Sequence, residues 1–385
     1  MATHRDCLRD AKRIVVKLGT STIAQPHGEL DMNRLEELVN QMAQAARSGR
    51  EVIIVTSGAI GVGMSRLGLA ERPKTIPEKQ AVAAVGQGLL MESYERLFRK
   101  HSQVVAQVLL TREDVTERVR HLNARHTLTQ LLNYGVIPIV NENDTVAVDE
   151  IKFGENDTLS SLVSALVGAD LLILLSDVDG LHTADPHRVP DAERIPVIAE
   201  ITPEIQELGG GPGSMLGSGG MATKIQAARI ATLSGVAMVV AHGAQEDIVN
   251  RILNGEDVGT LFLPSRRTLG SRKRWIAFYQ RAQGDLIVDA GAAEALTDHG
   301  KSLLPIGIVD VKGFFEEGDL VRIVDAEGEE VARGLTNYAS DEIKRIKGLP
   351  TGEIARVLGD KYYDEVVHRD NLVISGGRRS VAEAK

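Results

Sequence analysis

From the N-terminus to about residue 262, short aliphatic runs alternate with amphipathic stretches, and no other feature of the sequence constrains the fold as strongly. Arg13–Gly19, Val52–Val55, Val104–Leu110, Val136–Val140, Leu171–Leu175 and Val236–Ala241 read as strands. They are rich in Val, Ile and Leu and lack a strict polar alternation, the pattern of strands buried on both faces. Between them Asn33–Ser48, Glu78–Phe98, Ala124–Asn133, Leu159–Val167, Met221–Ser234 and Asp247–Leu253 read as helices. In the first helix Leu35, Leu38, Val39 and Met42 share one face, and Gly49 supplies a stop. The expected fold is therefore α/β: an open, mostly parallel sheet sandwiched by helices.

After Pro264 the pattern changes. A basic seam (Arg266-Arg267, Arg272-Lys273-Arg274) precedes short, glycine-punctuated β-like pieces at Leu286–Val288, Ile306–Val309, Leu320–Val324 and Val331–Gly334. These predict a small C-terminal β-barrel-like domain. The expected organisation is a catalytic domain over 1–264, a second domain over 272–370 and a frayed tail over 371–385.

Composition narrows the function. The 385 residues carry 44 Lys+Arg against 53 Asp+Glu, a net charge of −9, which argues against a general polyanion binder. One cysteine excludes a disulfide framework and a cysteine-based zinc site. The polar N-terminus has no signal-peptide core and no stretch reaches membrane-spanning length, so a cytoplasmic protein with no membrane association is expected. There are 38 glycines and few aromatics, which turns attention to where the backbone must approach a ligand.

In an open α/β sheet, ligands bind beyond the carboxyl ends of the strands. Those ends read Lys17-Leu18-Gly19-Thr20-Ser21, Thr56-Ser57-Gly58, Asn141-Glu142-Asn143-Asp144 and Ser176-Asp177-Val178-Asp179-Gly180. Taken singly, each could be ordinary turn chemistry; concentrated at one edge, they point to a site. Gly58-x-x-Gly61-x-Gly63 follows a strand and would let a substrate approach the backbone. The stretch Gly209–Lys224 is the stronger signal, because its glycines run directly into a helix, where exposed N–H groups favour phosphate. There is no G-x-x-x-x-G-K-[ST] segment, and no G-x-G-x-x-G follows the first strand, which excludes a P-loop and disfavours a dinucleotide fold. Lys17 and Lys224 are placed to reach one anionic site. The alternative for Lys17 is a structural salt bridge to Asp144 or Asp157. Asn156 or Asp157 is expected to cap a helix, although the acids and carboxamides between Asn141 and Asp157 exceed what capping requires. The histidines lack metal-ligand spacing and no nucleophile elbow is present.

Together, Val15–Ser21, Val55–Ile60, Asn141–Asp144 and Gly219–Lys224 resemble the amino acid kinase family, with further likeness at Lys79–Gln87 and Leu110–Arg112. Arg272–Trp275, Gly300–Ile308 and Gly313–Val324 resemble a PUA domain. The resemblance implies ATP-dependent phosphorylation of the side-chain carboxylate of L-glutamate to glutamyl 5-phosphate, the first step of proline biosynthesis, with Mg2+. It implies catalytic roles for Lys17, Lys224 and Asp157, and glutamate binding by Ser57, Gly58, Asp144 and Asn156. Nucleotide binding is implied for Lys17, Gly19, Ser176, Asp177, Ser218, Gly219, Gly220, Met221, Ala222, Thr223 and Lys224. Glu155 stands where the resemblance leads one to expect aspartate. Proline inhibition overlapping the glutamate site, involving the segment after Leu110, and a homo-oligomer (dimer or tetramer) are also implied.

Two other readings compete. A sister kinase of the same fold would act on acetylglutamate, aspartate or a nucleoside monophosphate, but the PUA-like domain disfavours all three. The Asn-Glu-Asn-Asp run further disfavours a nucleotide acceptor. An RNA-binding protein is the rival from another class. Residues 272–370 hold 14 basic and 19 acidic side chains, a poor electrostatic footprint for RNA.

Overall fold

The computed structural model describes residues 4–25, 28–147, 156–184, 189, 191–209, 220–265, 282–359 and 363–375. The chain divides into two compact units, Met1–Thr268 and Leu269–Lys385. The basic seam at 266–274 lies outside the described residues.

Among the described residues the first unit has eight strands: β1 (Arg13–Leu18), β2 (Glu51–Thr56), β3 (Val105–Leu110), β4 (Ile137–Glu142), β5 (Leu171–Ser176), β6 (Val197–Ile198), β7 (Ala237–His242) and β8 (Thr260–Phe262). Their order across the sheet is β3-β4-β2-β1-β5-β7-β8-β6. Every pairing is parallel except β7 with β8. The helices are α1 (Asp6–Arg9), α2 (Thr20–Ile23), α3 (Met32–Arg47), α4 (Ala59–Leu67), α5 (Ile76–Arg99), α6 (Arg112–Thr116), α7 (Arg118–Asn133), α8 (Asn156–Val167), α9 (Pro203–Leu208), α10 (Met221–Leu233) and α11 (Ile248–Leu253). The mostly parallel, helix-covered α/β sheet is the fold expected from the aliphatic periodicity. The two-residue β6 and three-residue β8 are too short to leave a periodic signal.

Strand β1 shows how the sheet places chemistry. Ile14, Val16 and Leu18 are buried in the core that includes residues of α3, α5 and α11. Alternation then sends Val15 and Lys17 to the opposite face, where α8 and α10 pack on each other. The chain runs from β1 to β2 on one side and crosses from β4 to β5 on the other, so the crevice at the carboxyl ends of β1 and β5 is a topological switch point.

Of the glycines after β2, Gly58 and Gly61 line the cavity at the strand ends, as the sequence suggests, while Gly63 does other work. Gly58 takes φ +101° and caps α4, so that turn does require glycine. Gly61 and Gly63 lie inside α4. A Cβ on Gly63 would collide with the Val82 carbonyl, and one on Gly86 with the Ala59 carbonyl. These two glycines therefore let α4 and α5 pack backbone to backbone, and they do not line an open loop. Thr75 and Glu78 form a reciprocal capping box that starts α5.

The second unit has five strands: β9 (Gly284–Val288), β10 (Ile308–Gly313), β11 (Leu320–Val324), β12 (Glu330–Leu335) and β13 (Leu372–Ile374). They are ordered β10-β9-β11-β12-β13. Short helices at Ala290–Thr297, Ser340–Ile346 and Ile354–Leu358 accompany the sheet, and Leu296, Ile343 and Ile354 enter its core. The segment expected to be a tail enters this sheet, because Leu372–Ile374 pair with β12; residues 376–385 lie outside the described set.

Candidate active site

The carboxyl ends of β1, β2, β4 and β5 and the N-termini of α8 and α10 converge on a cavity of about 670 Å³. Lys17, Gly19, Ser57, Gly58, Asn156 and Lys224 line it, as do Asn141, Asp144, Ser176 and Asp177.

At its base lies a buried charge cluster. Asp157, in the first turn of α8, is 1% exposed. Lys17 Nζ lies 2.6 Å from Asp157 Oδ1, and Lys224 Nζ lies 3.3 Å from Oδ2. Thr223 Oγ1 lies 3.1 Å from Oδ2 and 2.8 Å from the Gly220 carbonyl, two acceptors that share its single hydroxyl proton. Burial by itself would push the Asp157 carboxyl up; the two lysines more than reverse this and hold it below the ordinary carboxylate range. One carboxylate thus serves two ammonium groups, leaving a net positive cluster under the cavity. The salt bridge considered for Lys17 exists, with Asp157 as its partner. The alternatives of a structural and a functional lysine meet in one arrangement: the ion pair supports the fold while Lys17 and Lys224 still line the cavity.

Beside this cluster runs a chain of carboxamides. Asn156 Nδ2 lies 2.7 Å from the Thr56 carbonyl, 2.8 Å from Ser57 Oγ and 3.0 Å from Asn141 Oδ1. Asn141 in turn donates to Gln87 Oε1 at 2.9 Å. The expected capping role for Asn156 or Asp157 is not what the structure shows. Helix α8 begins at Asn156, and both side chains turn to partners across the site. Neither side chain is spent on its own helix.

On the β5 side, Ser176 Oγ donates to Asp177 Oδ1 at 2.9 Å. Partial burial would raise the Asp177 carboxyl, but the Ser176 hydroxyl and its own backbone N–H outweigh this and lower it, with Lys224 adding to the effect. Gly19 precedes α2, where a Cβ would press on the Leu175 carbonyl and on Lys17 Nζ, both at 3.4 Å. Gly220 is the N-cap of the 13-residue α10 and takes no side-chain cap; the Thr223 N–H bonds the Gly220 carbonyl at 3.2 Å, so an anion there would meet the N–H groups of Met221 and Ala222. Met221 and Thr223 are half-buried there and Ala222 is exposed. Ser218, Gly219 and Glu155 lie outside the described residues.

Three cavity residues were given no role from sequence. Asn141 and Glu142 stand in the last positions of β4, within the Asn-Glu-Asn-Asp run that the strand ends singled out. Arg72 reaches the cavity from the exposed turn between α4 and α5, and nothing in its local sequence distinguishes it from a solvated arginine. Among the described residues no group of three or more His, Cys, Asp or Glu could hold a metal ion.

Residues 12–242 match the Amino acid kinase family, and residues 284–358 match the PUA domain. A Glutamate 5-kinase of Moorella thermoacetica is 55% identical over 97% of this chain and 100% of its own length. A Glutamate 5-kinase of Caldanaerobacter subterraneus subsp. tengcongensis is 55% identical over 94% of this chain and 97% of its own. Among solved structures, UMP kinase from Bacillus anthracis aligns with 66% of this chain and 96% of its own at 17% identity and a TM-score of 0.46.

Proposed function

The chain belongs to the amino acid kinase family, among its glutamate 5-kinases, and from that premise we propose that it transfers the γ-phosphoryl group of ATP to the side-chain carboxylate of L-glutamate. The product is glutamyl 5-phosphate, which opens proline biosynthesis. The observation that carries this reading is the Lys17–Asp157–Lys224 cluster facing the cavity.

The chemistry needs no general base. A carboxylate with a pKa of about 4.3 is already ionised at neutral pH, so the obstacle is repulsion between two anions. Lys17 and Lys224 answer that obstacle by placing positive charge beside the transferring phosphoryl group, where preorganised donors are worth about 10²- to 10³-fold each in rate. Asp157 keeps the two ammonium groups in place without neutralising both. The N-terminus of α10 from Gly220 to Lys224, with Gly19, Ser176, Asp177 and the Ser218-Gly219 segment, takes the nucleotide. Ser57, Gly58, Asp144 and Asn156 take glutamate, with the Asp144 carboxylate suited to its α-ammonium. Mg2+ would accompany the ATP phosphates and offset part of their charge, as it commonly does through one or two carboxylates and the substrate phosphates.

Proline as an inhibitor competing with glutamate, assembly as a dimer or tetramer and a cytoplasmic location belong to the same reading. It is supported by the family membership. Incubation with ATP, Mg2+ and glutamate, followed by hydroxylamine, is expected to yield glutamyl hydroxamate. A stronger signal with acetylglutamate or aspartate, or no hydroxamate at all, would overturn the assignment. Proline is expected to raise the KM for glutamate and leave the KM for ATP unchanged.

A further inference from the structure

The amide orientations beside the cavity are fixed by backbone groups whose polarity is not in question. Asn141 Oδ1 accepts from the backbone N–H of Glu142 at 2.9 Å, which leaves its Nδ2 to face Gln87 Oε1 at 2.9 Å. Asn156 Nδ2 lies 2.7 Å from the Thr56 carbonyl, which can only accept, so its nitrogen belongs on that side and its Oδ1 on the other. That Oδ1 is buried and has no hydrogen-bond partner among the described residues. A lone acceptor on a cavity-lining amide calls for a donor, and on an amino acid the available donor is the α-ammonium group.

Gln87 is not among the residues that line the cavity. It sits on the buried face of α5 with Ala83 one turn before it and Leu90 one turn after, and is 9% exposed. Its own Nε2 is buried and unpartnered. As a packing residue it is a poor choice, because an apolar side chain would fill the space without stranding a donor. What Gln87 supplies and an apolar residue cannot is the acceptor that Asn141 Nδ2 needs.

We infer that Gln87 is a positioning residue for amino-acid binding: it orients Asn141, Asn141 orients Asn156, and Asn156 presents its carbonyl oxygen to the substrate ammonium. The inference rests on the reading of glutamate as acceptor. Nothing in this relay touches the phosphoryl group, so its effect falls on glutamate binding and not on the chemical step.

The test uses the full-length enzyme. Gln87→Met is expected to raise the KM for glutamate about tenfold, with kcat and the KM for ATP within about twofold of wild type. Glutarate, which lacks the α-ammonium, is expected to inhibit competitively with a Ki that moves less than about twofold in the same variant. Gln87→Glu keeps an accepting oxygen and is expected to hold the KM within about threefold of wild type. Gln87→Asn draws the oxygen back by one methylene and gives the glutamate-specific shift if Gln87→Met does not fold. An unchanged KM in Gln87→Met and Gln87→Asn overturns the inference, as do equal losses toward glutamate and ATP or a Gln87→Glu variant as impaired as the others. A wild-type enzyme that forms no glutamyl hydroxamate overturns the glutamate reading instead, so the two failures are distinct.

Discussion

Asp157→Asn tests the charge cluster most directly. Asparagine keeps the shape of the side chain and removes the charge. Lys17 Nζ at 2.6 Å and Lys224 Nζ at 3.3 Å then lose their common counter-ion, in surroundings where Lys17 is 7% and Lys224 3% exposed. Breaking a buried ion pair by removing one partner costs about 3–5 kcal/mol. For a unit of this size, at roughly 2–4 °C per kcal/mol, that is a fall in Tm of about 10 °C. The effect has a defined pH dependence. Burial raises the Asp157 carboxyl and the lysines override it, so its folded pKa lies below the unfolded one. A carboxyl depressed on folding contributes stability that is complete above its unfolded pKa of about 3.9 and is lost as pH falls through the folded value. The wild-type lead in Tm is therefore full at neutral pH and shrinks in acid. Turnover is expected to drop about 10²- to 10³-fold, because the lysines no longer keep their alignment. ATP returns an anion to the two ammonium groups, so it is expected to raise the Tm of the variant by more than that of wild type. Calorimetry across pH, with and without ATP, and the hydroxamate assay read all three effects. Wild-type kcat together with a Tm within about 2 °C of wild type would refute the reasoning.

Other expectations follow from the same geometry. Lys224→Ala leaves Asp157 paired with Lys17, so the fold is expected to survive by circular dichroism while kcat falls at least about 10²-fold; retained kcat would reduce Lys224 to a structural residue. Gly86→Ala drives a methyl into the Ala59 carbonyl and is expected to lower stability by about 3 kcal/mol in denaturant titration, whereas Gly88→Ala, two residues along the same helix with open space around it, stabilises by about 0.5–1 kcal/mol. Equal effects at the two glycines would contradict the close approach of α4 and α5.

The strand ends were legible because polar residues at the carboxyl ends of aliphatic runs are conspicuous: Lys17, Ser57, Asn141, Asp144, Ser176 and Asp177 all stand there, and all line one cavity. The glycine-rich run before α10 drew attention for a similar reason, but residues 210–219 lie outside the described residues. Other features were not. Gly63 looked like part of a loop for approaching a ligand, since spacing alone does not separate a ligand-facing glycine such as Gly58 or Gly61 from one that admits a neighbouring helix. Arg72 has no local signature, because it meets the cavity from a turn distant in the chain from the strand ends, and Gln87 entered only as the last residue of the Lys79–Gln87 likeness.

By itself the sequence determined the class of fold, since aliphatic runs without polar alternation must be covered on both faces by the helices between them. It also placed the chemistry at one edge of the sheet. Only the tertiary structure decided how the charges pair. Asp157 could have capped its helix, and Lys17 could have paired with Asp144. The packing of α10 on α8, which itself lies on β1, instead brought Lys17, Asp157 and Lys224 together across more than two hundred residues of chain. Contacts at that separation leave no periodic trace in sequence, because they are selected by which faces are buried together and not by spacing along the chain.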